Sequence, residues 1–280
     1  PDYVFHLAAQ SLVKKSYSAP TYTWETNTIG TLNILESLRE IKKNCVVVCI
    51  TSDKSYKNLE IKRGYRENDI LGGKDPYSAS KASAELVIQS HISSFFSSKE
   101  NKVLIGVARA GNVIGGGDWS ENRLIPDCVK SWSKNKKVLI RNPKSTRPWQ
   151  HVLESLSGYL LLGSRLLEED SDVCGAYNFG PSKDEDITVE EVVKCLKKHW
   201  HKIEYKIEIP DVVYHEAALL KLDSTKASKN LNWSPVWNSY DALKYTILWY
   251  KSYYEENSLT SFESLYKYVS DAKDKASAWI

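Results

Sequence analysis

The 280-residue sequence contains no methionine. It has no initiator residue, and Tyr3-Val4-Phe5-His6-Leu7 already reads as a buried strand, so the chain is expected to begin inside a fold. Long apolar runs are missing as well. None approaches the ~20 residues of a membrane span, and no membrane partner is expected. Pro1-Asp2-Tyr3 puts no basic stretch ahead of an apolar one, so no secretory signal is expected. The five cysteines form an odd set without metal-ligand spacing. Cys45 and Cys49 flank one apolar strand, while Cys128, Cys174 and Cys195 are scattered; they read as buried thiols in a reducing cytosol, with no metal. A strong charge bias is absent too, the net charge being +3. The densest basic cluster, Lys134 with Lys136 and Lys137, is too small for a nucleic-acid face and reads as a solvated helix end. The remainder, 42% hydrophobic and 26% charged, is the composition of a soluble globular protein with one large or two modest domains.

Short β-branched runs alternate with longer helical patterns. Tyr3–Leu7, Cys45–Thr51 and Val103–Arg109 read as buried parallel strands. Tyr22–Lys43 carries Ile29, Leu32, Leu35, Leu38 and Ile41 at helical spacing. Asp75–Phe96 reads as a helix with Asp75 as N-cap and Pro76 at its first position. This order argues a doubly wound α/β fold with a parallel Rossmann-type sheet. Beyond Gly117 the expected elements are helices over Arg123–Lys134, Val152–Leu167 and Val189–Trp200, and strands over Val138–Arg141, Ala176–Gly180 and Ile203–Ile209. The tail from about Ser182 reads largely as a second, smaller domain.

Tyr77-Ser78-Ala79-Ser80-Lys81 sets a phenol and an ammonium four residues apart on one helix face. A phenol is a poor base at neutral pH, but a cation within about 4–6 Å can lower its pKa by roughly 1–3 units. Such a tyrosine takes a proton from a sugar hydroxyl while hydride leaves the same carbon. The spacing alone fits an ordinary surface pair equally well; a preceding buried strand that ends in Thr51-Ser52-Asp53-Lys54 makes it a site. There Asp53 and Lys54 offer an acid and an amine side by side at the strand's C-terminal end, where α/β sheets bind ligands. The opening strand ends in His6-Leu7-Ala8-Ala9-Gln10, whose small residues suit a flat cofactor or simple core packing. Arg109-Ala110-Gly111-Asn112 leads into Gly115-Gly116-Gly117-Asp118-Trp119. That glycine run has neither Rossmann spacing nor the Lys-Ser/Thr of a phosphate loop, and it reads as a loop passing close to a ligand. Arg123 and Arg147 are candidate diphosphate clamps. His151 is either a ligand contact or a satisfied core histidine.

Taken in order, HLAAQSLVKKSY, ETNTIGTLNILES, TSDKSY, GYREND, GGKDPYSASKASAE, ARAGNVIGGGDW, NRLIPD, TRPWQHVLESLSGYLLL, YNFGP and LKLDSTKA with LNWSP resemble the extended short-chain dehydrogenase/reductase family. Within its sugar-nucleotide branch they look most like the dehydratases that act on CDP-glucose. The resemblance runs from the first residue to about Trp237. It implies a lyase that uses NAD for a redox-neutral dehydration: oxidation at C4, loss of water across C5–C6, and return of hydride to C6. Tyr77 with Lys81 would take the C4 hydroxyl proton, Ser52 would polarise the C4 oxygen, and Asp53 would protonate the leaving 6-hydroxyl. Lys54 would remove the C5 proton or stabilise the enolate. As a base it must be neutral, so its surroundings are expected to lower its pKa. Cofactor contacts carry over to Ala8, Ala9, Gln10, Asn27, Thr51, Tyr77 and Lys81, and substrate contacts to Asn112, Arg123 and Arg147.

The resemblance also implies a cytoplasmic homodimer packed through the helices Tyr22–Lys43 and Asp75–Phe96, serving deoxysugar synthesis for a bacterial surface polysaccharide. The expected domains are residues 1–115 with 147–181, binding NAD, and a smaller C-terminal α/β substrate domain, residues 116–146 with 182–280, binding the sugar nucleotide. The glycine-rich fingerprint and ribose-binding acid of the family would precede Pro1, so the first strands are expected to be missing and the chain alone to bind NAD poorly. Two other readings remain open. One is a sugar-nucleotide enzyme of the same fold, such as a dTDP-glucose dehydratase, an epimerase or a decarboxylase; the other is a non-catalytic nucleotide-binding module.

Overall fold

The computed structural model describes residues 1–98, 100–121, 123–140, 142–168, 173–182, 186–207 and 220–280. Strand β1 (Tyr3–His6) leads through helices α1 (Val13–Ser18) and α2 (Pro20–Trp24), a π-helical turn (Glu25–Ile29) and α3 (Gly30–Leu38) to β2 (Cys45–Ile50). Helix α4 (Pro76–His91) follows, then β3 (Val103–Ala110) and β4 (Val113–Ile114). Next come α5 (Leu124–Trp132), β5 (Val138–Ile140), β6 (Thr146–Pro148), β7 (Gln150–His151), α6 (Val152–Leu167), β8 (Gly175–Phe179), β9 (Asp186–Thr188), α7 (Val189–His199) and β10 (Tyr205–Ile207). The chain closes with α8 (Thr225–Leu231), α9 (Ser239–Lys251) and α10 (Ser261–Asp274).

The principal sheet has the order β1-β2-β3-β8, all parallel. Strand β2, Cys-Val-Val-Val-Cys-Ile, is apolar throughout because helices cover both of its faces. Its side chains alternate: Val47 and Cys49 meet Leu35 and Leu38 of α3 and Ile88 of α4, whereas Val46 and Val48 meet Leu162 and Leu166 of α6. Helices on opposite faces of a parallel sheet make the fold doubly wound and Rossmann-type, as the sequence indicates. A separate core joins Val129 and Trp132 of α5, Val192 and Leu196 of α7, and Leu243 and Ile247 of α9. Helix α8 and Trp233 pack instead on the α6 face of the principal sheet.

Most element limits fall within a few residues of expectation, and α6 coincides with it. The expected helix Tyr22–Lys43 differs most. It starts at Pro20, widens into a π turn at Glu25–Ile29 and stops at Leu38. Such a turn adds a residue without lengthening the helix, and apolar periodicity does not reveal it. Helix α4 likewise ends at His91 and passes into a π turn, Ile92–Phe96. Arg141 and Ile209, placed at the ends of expected strands, lie outside the described residues.

Glu154 fastens the C-terminal helices to α6. It is fully buried and accepts hydrogen bonds from the backbone N–H of Trp237 (2.7 Å) and Val236 (2.9 Å) and from the Tyr268 hydroxyl (3.0 Å). Burial outweighs these donors and pushes its carboxyl up to about 7. Between its unfolded value near 4.5 and pH 7 the folded state therefore holds the extra proton, and stability from this group falls as pH rises. Glu154→Gln should remove that dependence. Chemical denaturation across pH 4.5–7 should show wild type losing about 3 kcal/mol relative to the variant.

Candidate active site

The site forms where the C-terminal ends of β1, β2 and β3 open to one side, the position at which open α/β sheets hold ligands. Beyond β2 the chain makes a tight turn. Ser52 caps it by accepting from the Lys54 N–H (3.2 Å) and gives its own hydroxyl to Asp53 Oδ1 (2.9 Å). The Ser55 hydroxyl donates back to the Ser52 carbonyl (2.6 Å). Asp53 is buried, and Lys54 reaches the same Oδ1 at 3.3 Å with its side chain 35% exposed. Asp53 Oδ2 is buried with no hydrogen-bond partner. A carboxylate oxygen left dry in this way is ready to exchange a proton with a ligand.

Helix α4 starts over this turn because Asp75 accepts from the Ser78 N–H (3.0 Å) and hydroxyl (2.6 Å) and Pro76 occupies the first position. This capping presents Tyr77, and one turn later Lys81, towards the strand ends. Both are buried. Burial raises the Tyr77 phenol above its ordinary range, opposed first by the Lys54 charge and then by Ser52. The expectation that Lys81 lowers this phenol is therefore corrected: Lys54 is the cation that acts on it most. Burial pushes Lys81 down to about 8, with Glu85 opposing. Its ammonium makes one long hydrogen bond, to the Ile50 carbonyl at 3.4 Å. An ammonium has three donors to satisfy, so this buried group suits the hydroxyls of a bound ribose.

Lys54 also departs from expectation. Its pKa is raised, chiefly by the charge of Asp53, which outweighs the opposing burial and Arg147. An amine beside a carboxylate keeps its proton, and the lowered value anticipated for a base is absent in this state.

Thr51, Ser52, Asp53, Lys54, Tyr77, Asn112 and Arg123 line a cavity of about 1050 Å³. Asp53, Lys54 and Asn112 also line an adjoining one of about 1130 Å³, together with Arg147. Arg123 donates to Asp118 (3.2 Å) and Ser11 (3.5 Å), and Arg147 to the Thr146 carbonyl (2.7 Å) and Ser145 (3.2 Å). Ala8 and Ala9 follow β1, the first exposed and the second half-buried. Gln10 and Asn27 lie deeper. Asn27, inside the π turn, accepts from the Gln10 N–H (2.8 Å) and donates to the Gln10 carbonyl (3.0 Å) and to Ser80 (2.9 Å). It thereby ties the chain after β1 to the residue preceding Lys81. His151 is a core histidine: its Nδ1 caps α6 by accepting from the Leu153 N–H (3.3 Å), its ring lies edge-on to Trp237, and burial pushes it down to about 4.

Two glycines are dictated by close approach. A Cβ at Gly111 would meet Asp53 Cγ and Oδ2 at 2.2 Å. A Cβ at Gly116 would meet the Trp249 ring at 2.1 Å, so this part of the glycine run makes room for a core tryptophan of α9 rather than for a ligand.

The sequence reading missed Glu85 and Arg109, both fully buried. Arg109 donates through Nε (2.7 Å) and Nη2 to Glu85, and through Nη1 to the Tyr56 hydroxyl (2.6 Å). Two signals were available. Arg109 is a charge inside an apolar strand, which requires a partner, and Glu85 extends the four-residue stripe of Tyr77 and Lys81.

The family profile for GDP-mannose 4,6 dehydratases matches residues 1–246. The chain belongs to that family. Its similarity to members of the GDP-mannose 4,6 dehydratase family and related enzymes spans most of its length. It is 44% identical over 256 residues to a CDP-glucose 4,6-dehydratase of Salmonella typhimurium, covering 90% of this chain and 71% of that one. It is 24% identical to a UDP-glucose 4-epimerase of Mycoplasma pneumoniae, covering 91% of this chain and 77% of that one. Among solved structures, a UDP-glucose 4-epimerase of Thermotoga maritima with UDP-glucose aligns at a TM-score of 0.74 and 25% identity, covering 91% of this chain and 79% of the other. A UDP-glucuronic acid 4-epimerase of Bacillus cereus, in complex with UDP-glucuronic acid and NAD, aligns at 0.75 with 20% identity, covering 90% and 76%, and speaks for the fold alone.

The contact between Gly111 and Asp53 makes a direct forecast. Gly111→Ala should leave the protein folded by circular dichroism but displace Asp53, lowering turnover about 100-fold, since a shift near 1 Å in a reacting group costs that much.

Proposed function

We propose that this chain carries the catalytic centre of an NAD-dependent CDP-glucose 4,6-dehydratase, which forms CDP-4-keto-6-deoxyglucose and water. The observation that carries this reading is Asp53: a buried carboxylate with one unpartnered oxygen, beside Ser52 and Tyr77 and paired with Lys54. Epimerisation at C4 has no leaving hydroxyl to protonate and gives this pair nothing to do. The 44% identity to the Salmonella enzyme over 90% of the chain supports the cytidine nucleotide. The buried, under-satisfied ammonium of Lys81 beside Tyr77 fits the nicotinamide ribose of NAD, with Ala8, Ala9, Gln10 and Thr51 nearby at the strand ends. Bound NAD supplies a reversible hydride acceptor.

The remaining chemistry belongs to the chain's own residues. Tyr77 takes the proton of the C4 hydroxyl while Ser52 donates a hydrogen bond to the C4 oxygen. The Lys54 charge favours the phenolate needed for that step. Asp53 then takes the Lys54 proton across their 3.3 Å contact and gives it to the departing 6-hydroxyl. Asp53 must be protonated to do so, and a neutral Asp53 no longer holds the Lys54 proton. Burial and Arg147 then favour the free amine, which can receive the C5 proton. Lys54 is thus a base only when Asp53 is an acid, the combination that elimination requires. Arg123 and Arg147 supply guanidinium groups for the diphosphate, one on each cavity, and Asn112 lines both.

The proposed division sets residues 1–115 and 147–181, on the cofactor side, against 116–146 and 182–280 on the sugar-nucleotide side. A homodimer fits Tyr22, Ile29, Leu86 and Phe95, large apolar side chains left exposed on the expected interface helices. Five cysteines, none of them in a disulfide, suit a reducing cytoplasm.

The full-length protein, incubated with NAD and CDP-, dTDP- or UDP-glucose separately, should release a 4-keto-6-deoxy sugar from the cytidine nucleotide alone. Product from either of the other two but not from CDP-glucose would refute the specificity. Tyr77→Phe should abolish turnover while substrate affinity, measured calorimetrically, stays within a few-fold. Activity surviving within a few-fold would refute the assigned base. Lys54→Ala should permit the first hydride transfer and block elimination, so reduced cofactor accumulates in a single turnover; full activity would remove Lys54 from the mechanism.

A further inference from the structure

We propose that Glu85, held by Arg109, is a positioning residue for the reaction: it fixes both ends of the turn that carries Ser52, Asp53 and Lys54. The proposal rests on the dehydratase reading, in that the turn it fixes is the one assigned the proton transfers. Of the residues assigned to substrate or cofactor, Glu85 is hydrogen-bonded to Thr51, at the head of that turn.

The geometry is that of a clamp. Oε1 of Glu85 accepts from the Thr51 hydroxyl at 2.6 Å. The Ser55 hydroxyl, 3.1 Å away, shares its single hydrogen between Oε1 and the Ser52 carbonyl, so the two contacts lie one on each side of the three reacting residues. The same oxygen accepts from Arg109 Nε at 2.7 Å, and Oε2 accepts from Arg109 Nη2. A carboxylate with four donors on it, and no water-exposed surface, is locked in place. Arg109 is fixed in turn by β3, by Tyr56 and by the Glu67 carbonyl at 3.1 Å. The turn therefore takes its position from helix α4 and strand β3 together, and α4 also carries Tyr77 and Lys81. One carboxylate sets the two halves of the site, turn and helix, relative to each other.

Its charge acts as well. Lys81 stands one helical turn before Glu85, and the groups acting on it are Glu85 from α4 and the Cys49 thiol from β2. His6 on β1 responds to the Lys81 charge from the other side. Burial keeps the thiol neutral, with its pKa at about 12, and burial lowers that of His6. Glu85 is therefore the charged partner that retains the Lys81 proton.

Three variants test this. Glu85→Gln keeps the shape and removes the charge, Glu85→Asp keeps the charge, and Ser55→Ala removes one tether while leaving the ion pair whole. The Cε resonance of Lys81, assigned by its loss in Lys81→Met, is followed by pH titration in the substrate-free protein. In Glu85→Gln it should titrate about one pH unit lower than in wild type, and in Glu85→Asp close to wild type. For turnover, Glu85→Gln and Ser55→Ala should lower kcat by about tenfold or more with KM within about threefold, because a misplaced acid slows the step without weakening binding. Folded Glu85→Gln and Ser55→Ala with kcat within twofold of wild type would overturn the proposal, as would an unmoved Lys81 titration. If Glu85→Gln does not fold, Ser55→Ala decides by the same kcat criterion. If wild type turns over none of the three sugar nucleotides, the dehydratase reading fails, and the Lys81 titration alone decides whether Glu85 acts on the site.

Discussion

A guanidinium in the middle of a parallel sheet is the constraint around which this molecule is organised. Arg109 has no exposed surface, and burial works against its charge. Glu85 and Tyr56 more than offset that opposition. Removing one member of such a pair strands the other and costs roughly 3–5 kcal/mol. The bonds reach further than the pair. Tyr56 donates its hydroxyl hydrogen bond to Asn178 Oδ1 on β8 at 2.8 Å, and Asn178 donates to the carbonyls of Tyr65 and Asp223. One polar chain thus runs through β3, α4, the loop after β2, β8 and the segment ahead of α8. It sets β3 and the loop after β2, while the chain after β1 is tied in separately through Asn27.

Around this fixed frame, burial pulls the site's ionisable groups towards neutrality. It raises the phenol of Tyr77 and lowers the ammonium of Lys81. Lys54 moves the other way, because the Asp53 carboxylate stands 3.3 Å from its ammonium. The site therefore combines a buried pair that resists charge with a partly exposed amine whose charge a buried carboxylate sustains. Chemistry that creates charge at one carbon and cancels it at the next has a use for both.

Much of this could be read from the chain. Alternating buried runs and helical patterns gave the doubly wound sheet, and Asp75-Pro76 announced the start of α4 because capping is a local property. The turn at Ser52-Asp53-Lys54 was legible because short polar residues ended an apolar strand. Features that depend on distant partners were not. Gly116 is explained by Trp249, Gly111 by Asp53, and Arg109 by Glu85, and no local pattern names these partners. The direction of the Lys54 shift failed for the same reason. Burial was legible, but the strength of a carboxylate held against the amine is a matter of geometry.

The π turn at Glu25–Ile29 has a consequence for how this segment can vary in length. A helix containing such a turn holds one residue more than its path demands. Removing any one of those five residues would let a regular helix follow the same axis. Pro20–Trp24 and Gly30–Leu38 would keep their facing, and the residues inside the turn would shift about the axis, each by up to about 100°. Asn27, inside the turn, could then not face Gln10 and Ser80 at once. The segment has the composition of an ordinary helix, yet its residue count is as fixed as that of a binding loop.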